Sequence, residues 1–153
     1  MANTYIQVFI HIVFSVKNRA SLLPPHWQSQ IHSYIAAIIN KSGHRAIEVG
    51  GTDDHVHILF SYNGLEPISE LVRQIKTESN KFIVRHLIAP CKFEWQSGYA
   101  CFSYSYSQLE AIRSYIKRQP EHHKGLSLTD EIKIMYERFG IAYDERYAMK
   151  TPE

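Results

Sequence analysis

The sequence predicts an α+β protein built on a four-stranded antiparallel sheet. Four short segments are rich in Val, Ile, Phe and Tyr, which favour strands. Segments with apolar residues at helical spacing lie between and after them. The resulting order is strand, helix, strand, strand, helix, strand, and then two helices. Its first six elements match the ferredoxin-like (RRM-like) arrangement, with helices packed on the sheet.

The first half of the chain contains three of the predicted strands. Residues 5–16 form a nearly continuous apolar run, which is typical of a central strand covered on both faces. A helix is predicted over residues 26–42, with Gly43 as its stop. A short strand over residues 46–50 and a longer one over residues 55–62 follow, separated by an acidic turn.

The second half is predicted to complete the sheet and to add two helices. Its elements are a helix from Pro67 to about residue 88, a loop over residues 90–98, a strand over residues 99–106, a helix from a Ser107 cap to about Gln119 that Pro120 ends, and a helix over residues 126–139. Residues 143–153 are polar and predicted to be extended.

Length and composition limit the classes of protein that remain. The 153 residues suit one domain, which we predict to span residues 1–153, with a tail from about residue 140 that is extended or contacts a second subunit. A content of 44% apolar and 21% charged residues excludes general disorder. No apolar run is long enough for a membrane helix, and the N-terminal segment does not resemble a signal peptide. Cys91 and Cys101 are expected to be reduced, in a cytoplasmic protein.

The charge is a poor guide to function, since the net value is only +2. A modestly basic body with an acidic C-terminal region allows polyanion binding without demonstrating it. Nine His and ten Tyr are more informative, because these side chains suit metal ligation, proton transfer and nucleophilic attack.

The most informative segment is Asp54-His55-Val56-His57 at the start of a predicted strand. Side chains two residues apart in a strand point to the same face, so His55 and His57 present two imidazoles side by side. Two half-exposed histidines without a ligand are the simpler interpretation of this pattern alone. The position directly after an acidic turn favours a metal-ligand pair, and Asp54 is a candidate to orient one histidine or merely a turn residue.

A second candidate pair is Tyr115 and Gln119, whose spacing of four places them on one helix face. A phenol can attack phosphorus when its charge is stabilised, and a Gln carbonyl oxygen can be a third metal ligand. Taken alone, Tyr115 is better explained as a core residue that packs with its apolar neighbours.

Together these motifs resemble the single-tyrosine HUH (His, hydrophobic, His) transposases of the insertion sequence 200/605-like family, which includes REP-associated tyrosine transposases. The resemblance covers most of the chain. It includes Asp54-His55-Val56-His57 and Tyr115 with Gln119, and further similar segments are residues 5–17, 75–81, 93–103, 121–123 and 143–147.

This resemblance implies a transposase that cleaves and rejoins single-stranded DNA at insertion-sequence ends. Tyr115 would be the nucleophile and would form a 5′-phosphotyrosine intermediate. His55, His57 and Gln119 would hold one divalent ion, Mg²⁺ or Mn²⁺. Two imidazoles and one amide oxygen favour Mn²⁺, whereas hard Mg²⁺ prefers oxygen donors, and the choice between the two ions is left open to their availability.

The resemblance also implies the partners. Members of the family recognise subterminal DNA hairpins and form homodimers in which the tyrosine helix can act in trans. A bacterial cytoplasmic location, on the nucleoid when DNA is bound, follows. Candidate phosphate contacts are basic residues of the two middle helices: Arg73, Lys76, Lys81, Arg113, Lys117 and Arg118.

Two other functions are alternatives to a transposase. A non-catalytic or domesticated hairpin-binding protein would have the same fold and charge, but His55, His57, Tyr115 and Gln119 would then lack a joint purpose. A phosphoesterase would need a second His-x-Thr/Ser motif or a third histidine at position 59, which is Leu59.

Overall fold

The computed structural model describes residues 3–18, 22–86, 88–89, 92–122 and 125–144. Within them the elements run in the order β1 (Phe9–Ser15), α1 (Pro25–Lys41), β2 (Arg45–Gly51), β3 (His55–Ser61), α2 (Ile68–Arg85), β4 (Ala100–Tyr104), a 3₁₀ turn (Tyr106–Gln108), α3 (Leu109–Lys117), α4 (Gln119–His122) and α5 (Leu128–Arg138). This order confirms the predicted α+β, ferredoxin-like class. None of the described helices is long and apolar enough to cross a membrane.

The four strands form one sheet in the order β2-β3-β1-β4, and every neighbouring pair is antiparallel. β1 is therefore central, and all seven of its residues are buried. This explains why its sequence is almost continuously apolar, because elements cover the sheet on both of its faces.

One face of the sheet, which we call the core face, is entirely apolar along β1 and β3. It is formed by Ile10, Ile12, Phe14, Val56, Ile58 and Phe60, all buried. Helices α1 and α2 pack against this face through isoleucine, leucine and valine side chains. These residues build the main hydrophobic core.

The opposite face, which we call the site face, bears His11, His55 and His57. The register pairs Gly50 of β2 with His57, so both residues lie on this face. A Cβ atom on Gly50 would lie 2.8 Å from the carbonyl oxygen of Ile116, so α3 packs directly over β2. At the other end of this face, α5 packs on β1 and β4 around Phe102. The histidines therefore lie between two helices.

Two predicted strands are shorter in the structure. β1 starts at Phe9 instead of residue 5, because β3 ends opposite it, at Ser61, and Tyr5 stays 94% exposed. β4 ends at Tyr104, since Ser105 forms a capping box with Gln108 and turns the chain into the 3₁₀ segment. The predicted Ser107 cap is therefore wrong.

The predicted single helix that contains Tyr115 and Gln119 is also wrong. α3 ends at Lys117, and Arg118 leaves the helical conformation with φ −97° and ψ 16°. Gln119 then starts α4, so Pro120 lies in a first helical turn, where its missing N–H costs no helical hydrogen bond. The last helix begins after Ser127, whose Oγ accepts from the Asp130 N–H at 3.2 Å. The predictions for Cys91 and residues 145–153 fall outside the described residues.

Candidate active site

Two histidines of β3 form the centre of the site. His55 and His57 are completely buried on the site face, and their ring centroids lie 5.1 Å apart. The alternation of the strand brings both rings to one side, as the His-x-His spacing predicts. Because an uncharged, unpaired polar group is costly to bury, the partners of these rings are informative.

Glu131 of α5 is one of these partners, and it was not predicted from the sequence. Its Oε1 lies 3.2 Å from Nε2 of His57 and 3.8 Å from Nε2 of His55, and the side chain is only 2% exposed. A signal was present in the sequence: Glu131 lies on the apolar stripe of α5, between Leu128 and Ile132. A carboxylate on a buried helix face is rare unless it is paired.

Tyr115 and Gln119 also reach this cluster, although a helix break separates them. The Tyr115 hydroxyl donates to Oε2 of Glu131. The Gln119 amide donates to the same oxygen at 2.9 Å, and its Oε1 lies 2.8 Å from Nε2 of His55. The structure thus brings Tyr115, His55, His57 and Gln119 together within one chain.

The surroundings of Tyr115 keep its hydroxyl protonated. Burial raises the pKa of Tyr115 far above its ordinary value, and the negative charge of Glu131 raises it further. The hydrogen bond with Gln119 acts in the opposite direction but is weaker. A nucleophilic role for Tyr115 therefore requires a group that takes the proton, and Glu131 Oε2 is in contact with it.

The donor set fits a divalent cation. One ligand atom from each of His55, His57 and Glu131 lies within 4.8 Å of the other two, and all three residues are buried. The amide oxygen of Gln119 lies beside His55 and adds a fourth candidate donor. Two imidazoles suit transition metals. The carboxylate of Glu131, which was not predicted from the sequence, also suits Mg²⁺ and Mn²⁺.

The outer nitrogen of His55 has polar partners. Its Nδ1 lies 2.6 Å from Oδ1 of Asp54 and 3.0 Å from Oγ1 of Thr52. The Thr52 hydroxyl in turn donates to Asp54 at 3.0 Å. A carboxylate beside Nδ1 favours a proton there and makes the unprotonated Nε2 the candidate ligand atom. Asp54 is thus in contact with His55, and its orienting role stays a prediction.

His57 is supported by a different chain of side chains. Its Nδ1 lies 2.7 Å from Nε2 of buried His11, and His11 Nδ1 lies 3.1 Å from the Tyr104 hydroxyl. Burial lowers the pKa of His11 and the nearby His57 lowers it further, so His11 is neutral and its Nε2 can accept a hydrogen bond from the Nδ1–H of His57. Burial also raises the pKa of Tyr104 to about 12. His11 interrupts the apolar run of β1, which was the only sequence signal.

The predicted cations of α2 lie away from this cluster, because α2 covers the core face. Exposed Arg73 pairs with Glu70 at 2.8 Å. Lys76 donates to the carbonyl oxygens of Gln96 at 2.8 Å and Gly98 at 2.6 Å, and burial lowers its pKa to about 8. Lys81 is exposed on the same helix. The structure does not bring these three cations to Tyr115.

The predicted cations near α3 divide into two kinds. Arg113 and Lys117 approach Glu48 of β2 at 3.2 and 3.9 Å, so their charges are partly offset. Arg118, in contrast, lines a cavity together with Tyr115 and Glu131. Of these three cations, Arg118 alone lines a cavity with the candidate nucleophile, Tyr115.

Comparisons with known proteins agree on one family. The family model described as "Transposase IS200 like" matches residues 4–119. No curated protein matches the chain. A solved structure of a candidate transposase from Deinococcus radiodurans R1 is similar at 20% identity and a TM-score of 0.60, covering 78% of this chain and 96% of that one. A REP-associated tyrosine transposase bound to a REP hairpin is similar at 17% identity and a TM-score of 0.59, covering 80% and 73%.

Proposed function

From the premise that this chain belongs to the IS200-like transposase family, whose model matches residues 4–119, we propose that it cleaves and rejoins single-stranded DNA through a covalent phosphotyrosine. The family predicted from the sequence is thereby confirmed. The observation that carries the proposed chemistry is the convergence of Tyr115 with His55, His57, Gln119 and Glu131 in one buried cluster.

Tyr115 is the proposed nucleophile. Its hydroxyl gives its proton to Oε2 of Glu131, with which it is hydrogen-bonded, and its oxygen attacks a backbone phosphorus. The bond between phosphorus and the 3′ oxygen breaks, and that oxygen takes a proton from solvent water and leaves as a 3′ hydroxyl. In rejoining, a 3′ hydroxyl gives its proton to solvent and attacks the 5′-phosphotyrosine, the bond between phosphorus and the Tyr115 oxygen breaks, and Tyr115 recovers its proton from Glu131.

The residues that would hold one divalent ion are His55, His57 and Glu131, with Gln119 as a further donor. When bound, Mg²⁺ or Mn²⁺ supplies charge stabilisation for the phosphate and for the departing oxygen. Two further residues would orient the histidine ligands: Asp54 contacts His55, and His11 contacts His57.

The two oxygens of Glu131 have separate partners. Oε1 is near the Nε2 atoms of His55 and His57, whereas Oε2 accepts from Tyr115 and Gln119. One carboxylate can therefore complete the ligand set with one oxygen and take the tyrosine proton with the other. Gln119 holds that carboxylate in place through its amide N–H.

The proposed substrate is single-stranded DNA with a hairpin at the element ends. A structurally similar transposase is described as bound to a REP hairpin, and that likeness supports the proposal. Tyr115 and Gln119 lie beside His55 and His57 of the same chain, an arrangement that supports cleavage in cis. A homodimer in which the tyrosine helix can act in trans stays a prediction, as do the single domain over residues 1–153 and the location in the bacterial cytoplasm.

The test is covalent capture. The protein is incubated with Mn²⁺ and single-stranded DNA from the flanks of its own gene, and adducts are resolved on a denaturing gel. Wild type is expected to form an adduct that Tyr115→Phe abolishes while hairpin binding persists. Tyr34→Phe is the matched control, since Tyr34 stacks on Phe82 over the core face and its variant should keep the adduct.

The alternative is a non-catalytic or domesticated hairpin-binding protein. A pure binding protein would retard hairpin DNA on a native gel and give no adduct with any strand. An adduct that persists in Tyr115→Phe would instead show that another residue is the nucleophile. A domesticated enzyme would give the adduct on chromosomal repeats and not on element ends.

A further inference from the structure

A cavity of about 460 Å³ lies between α3 and α5, and both Tyr115 and Glu131 belong to its lining. Small-molecule sites typically have volumes of about 300–1,000 Å³, so this cavity can hold a ligand of nucleotide size. It shares Tyr115 and Glu131 with the site already described. The other lining residues take no part in the proposed cleavage step.

The walls of the cavity are apolar and partly aromatic. Tyr104 and Phe139 contribute rings whose centroids lie 5.4 Å apart at 81° to each other. Ile134 of α5 also lines the cavity and is 45% exposed. Aromatic side chains beside an opening bind unpaired nucleobases by stacking, because every base has a π face.

Two arginines and one carboxylate line the cavity. Arg118 and Arg138 both line it, and neither forms an ion pair within the described part of the chain. This contrasts with Arg113, whose guanidinium pairs with Glu48. The only carboxylate of the lining, Glu131, is engaged by His57, Gln119 and Tyr115. Guanidinium groups bind phosphate with paired hydrogen bonds, so the rim suits a phosphate group.

We propose that this cavity binds one unpaired nucleotide of the DNA strand beside the scissile phosphate. The base packs against Tyr104 and Phe139, and Arg118 and Arg138 bind phosphate. The proposal rests on the proposed function, because that function places a DNA strand at Tyr115. A base inside a duplex is stacked on both sides and cannot enter, so the cavity also contributes to selection of single strands.

Binding of a mononucleotide tests the site without any cleavage. The full-length protein is titrated with thymidine 5′-monophosphate, and the ring resonances of Tyr104 and Phe139 are followed by NMR. Saturable shifts are expected. Thymidine, which lacks the phosphate, and deoxyribose 5-phosphate, which lacks the base, should each bind at least about fivefold more weakly.

Substitutions in the cavity lining test whether the mononucleotide binds there. Ala111→Trp adds a bulky side chain to the lining from the exposed side of α3 and should weaken binding at least about tenfold. Ile134→Trp gives the same test from α5 if the first variant does not fold. Arg138→Ala should weaken binding about fivefold. Arg85→Ala, at the exposed end of α2 over the core face, is the matched control and should bind as wild type.

Several outcomes would overturn the proposal. These are the absence of saturable shifts, an affinity that both tryptophan variants leave unchanged, and equal binding of deoxyribose 5-phosphate. A short oligothymidylate should shift the same resonances, and its failure would assign the cavity to a free nucleotide instead of a DNA strand. Failure of the proposed function is distinct, since it appears as a missing covalent adduct in wild type whatever the mononucleotide does.

Discussion

The two faces of the sheet are made by the same strands and do different work. On β1, Ile10, Ile12 and Phe14 enter the core face, whereas His11 points to the site face. On β3, Ile58 lies between His57 and Leu59 in sequence but packs on the opposite side of the sheet from them. Strand alternation therefore lets one segment supply stability and chemistry at once.

The apolar core face and the polar cluster of the site face affect stability differently. A fully buried apolar side chain stabilises the folded state by about 1.5–3 kcal/mol. A buried polar group costs free energy unless it is hydrogen-bonded, and the site face buries three histidines and a glutamate. Hydrogen bonds among these groups offset that cost only when every member is satisfied. The core face thus provides most of the stability. On the site face, the apolar packing of α5 around Phe102 adds to it, whereas the polar cluster contributes little.

The largest expected contrast comes from two neighbouring residues of β3. His57→Ala should remove a ligand, so Mn²⁺ affinity falls by more than the roughly 10–100-fold that loss of an outer partner costs. Ile58→Ala should leave Mn²⁺ affinity intact but lower the free energy of unfolding by about 2–5 kcal/mol. Calorimetric metal titration and urea denaturation measure the two effects. Equal loss of metal affinity in both variants would contradict the division between faces.

Glu131→Gln tests whether the missed carboxylate belongs to the site. The isosteric change removes its charge, so Mn²⁺ affinity should fall and the covalent adduct should be lost. The variant should also change the pKa of Tyr115. Because the negative charge of Glu131 raises the pKa of this hydroxyl, removing that charge should lower it. The ultraviolet titration of Glu131→Gln minus that of the Glu131→Gln/Tyr115→Phe double variant isolates Tyr115. The same difference between wild type and Tyr115→Phe gives the reference. An unchanged tyrosine titration together with full activity would remove Glu131 from the mechanism.

His11→Phe tests the support of His57. The phenyl ring fills most of the space but cannot accept a hydrogen bond from His57 Nδ1–H, so Mn²⁺ affinity should fall by about 10–100-fold. Tyr104→Phe removes only the next member of the chain and should have a smaller effect. Metal titration gives the order of the two. If the two variants bind Mn²⁺ as wild type does, the contact at 2.7 Å has no orienting role.

Gly50→Ala tests how α3 is held over the sheet. The added Cβ would lie 2.8 Å from the carbonyl oxygen of Ile116, so α3 must move away from β2. We expect a loss of about 1–3 kcal/mol in the free energy of unfolding and slower adduct formation, since Ile116 is adjacent to Tyr115. Gly98→Ala is a contrasting case, because its positive φ strains the backbone but no atom lies near the new Cβ. Its adduct formation should stay at the wild-type level.

Much of the fold could be predicted because its signals are local. The apolar run of β1, the helical spacing in α1 and α2 and the order of elements are properties of short segments, and together they indicate the ferredoxin-like class. The break at Arg118 escaped prediction because Pro120 is compatible with either a helix end or a first helical turn. The shortened β1 escaped because pairing depends on where the partner strand ends.

The candidate site divides in the same way. The sequence by itself determined the His55 and His57 pair, because a period of two places both rings on one side of a strand, and the motif resemblance identified Tyr115 and Gln119. Only the tertiary structure decided that Glu131 joins them and that His11 supports His57, since these contacts join residues 74 and 46 positions apart. Spacing rules act within one element, whereas a buried carboxylate or imidazole finds its partner only when separate elements pack together.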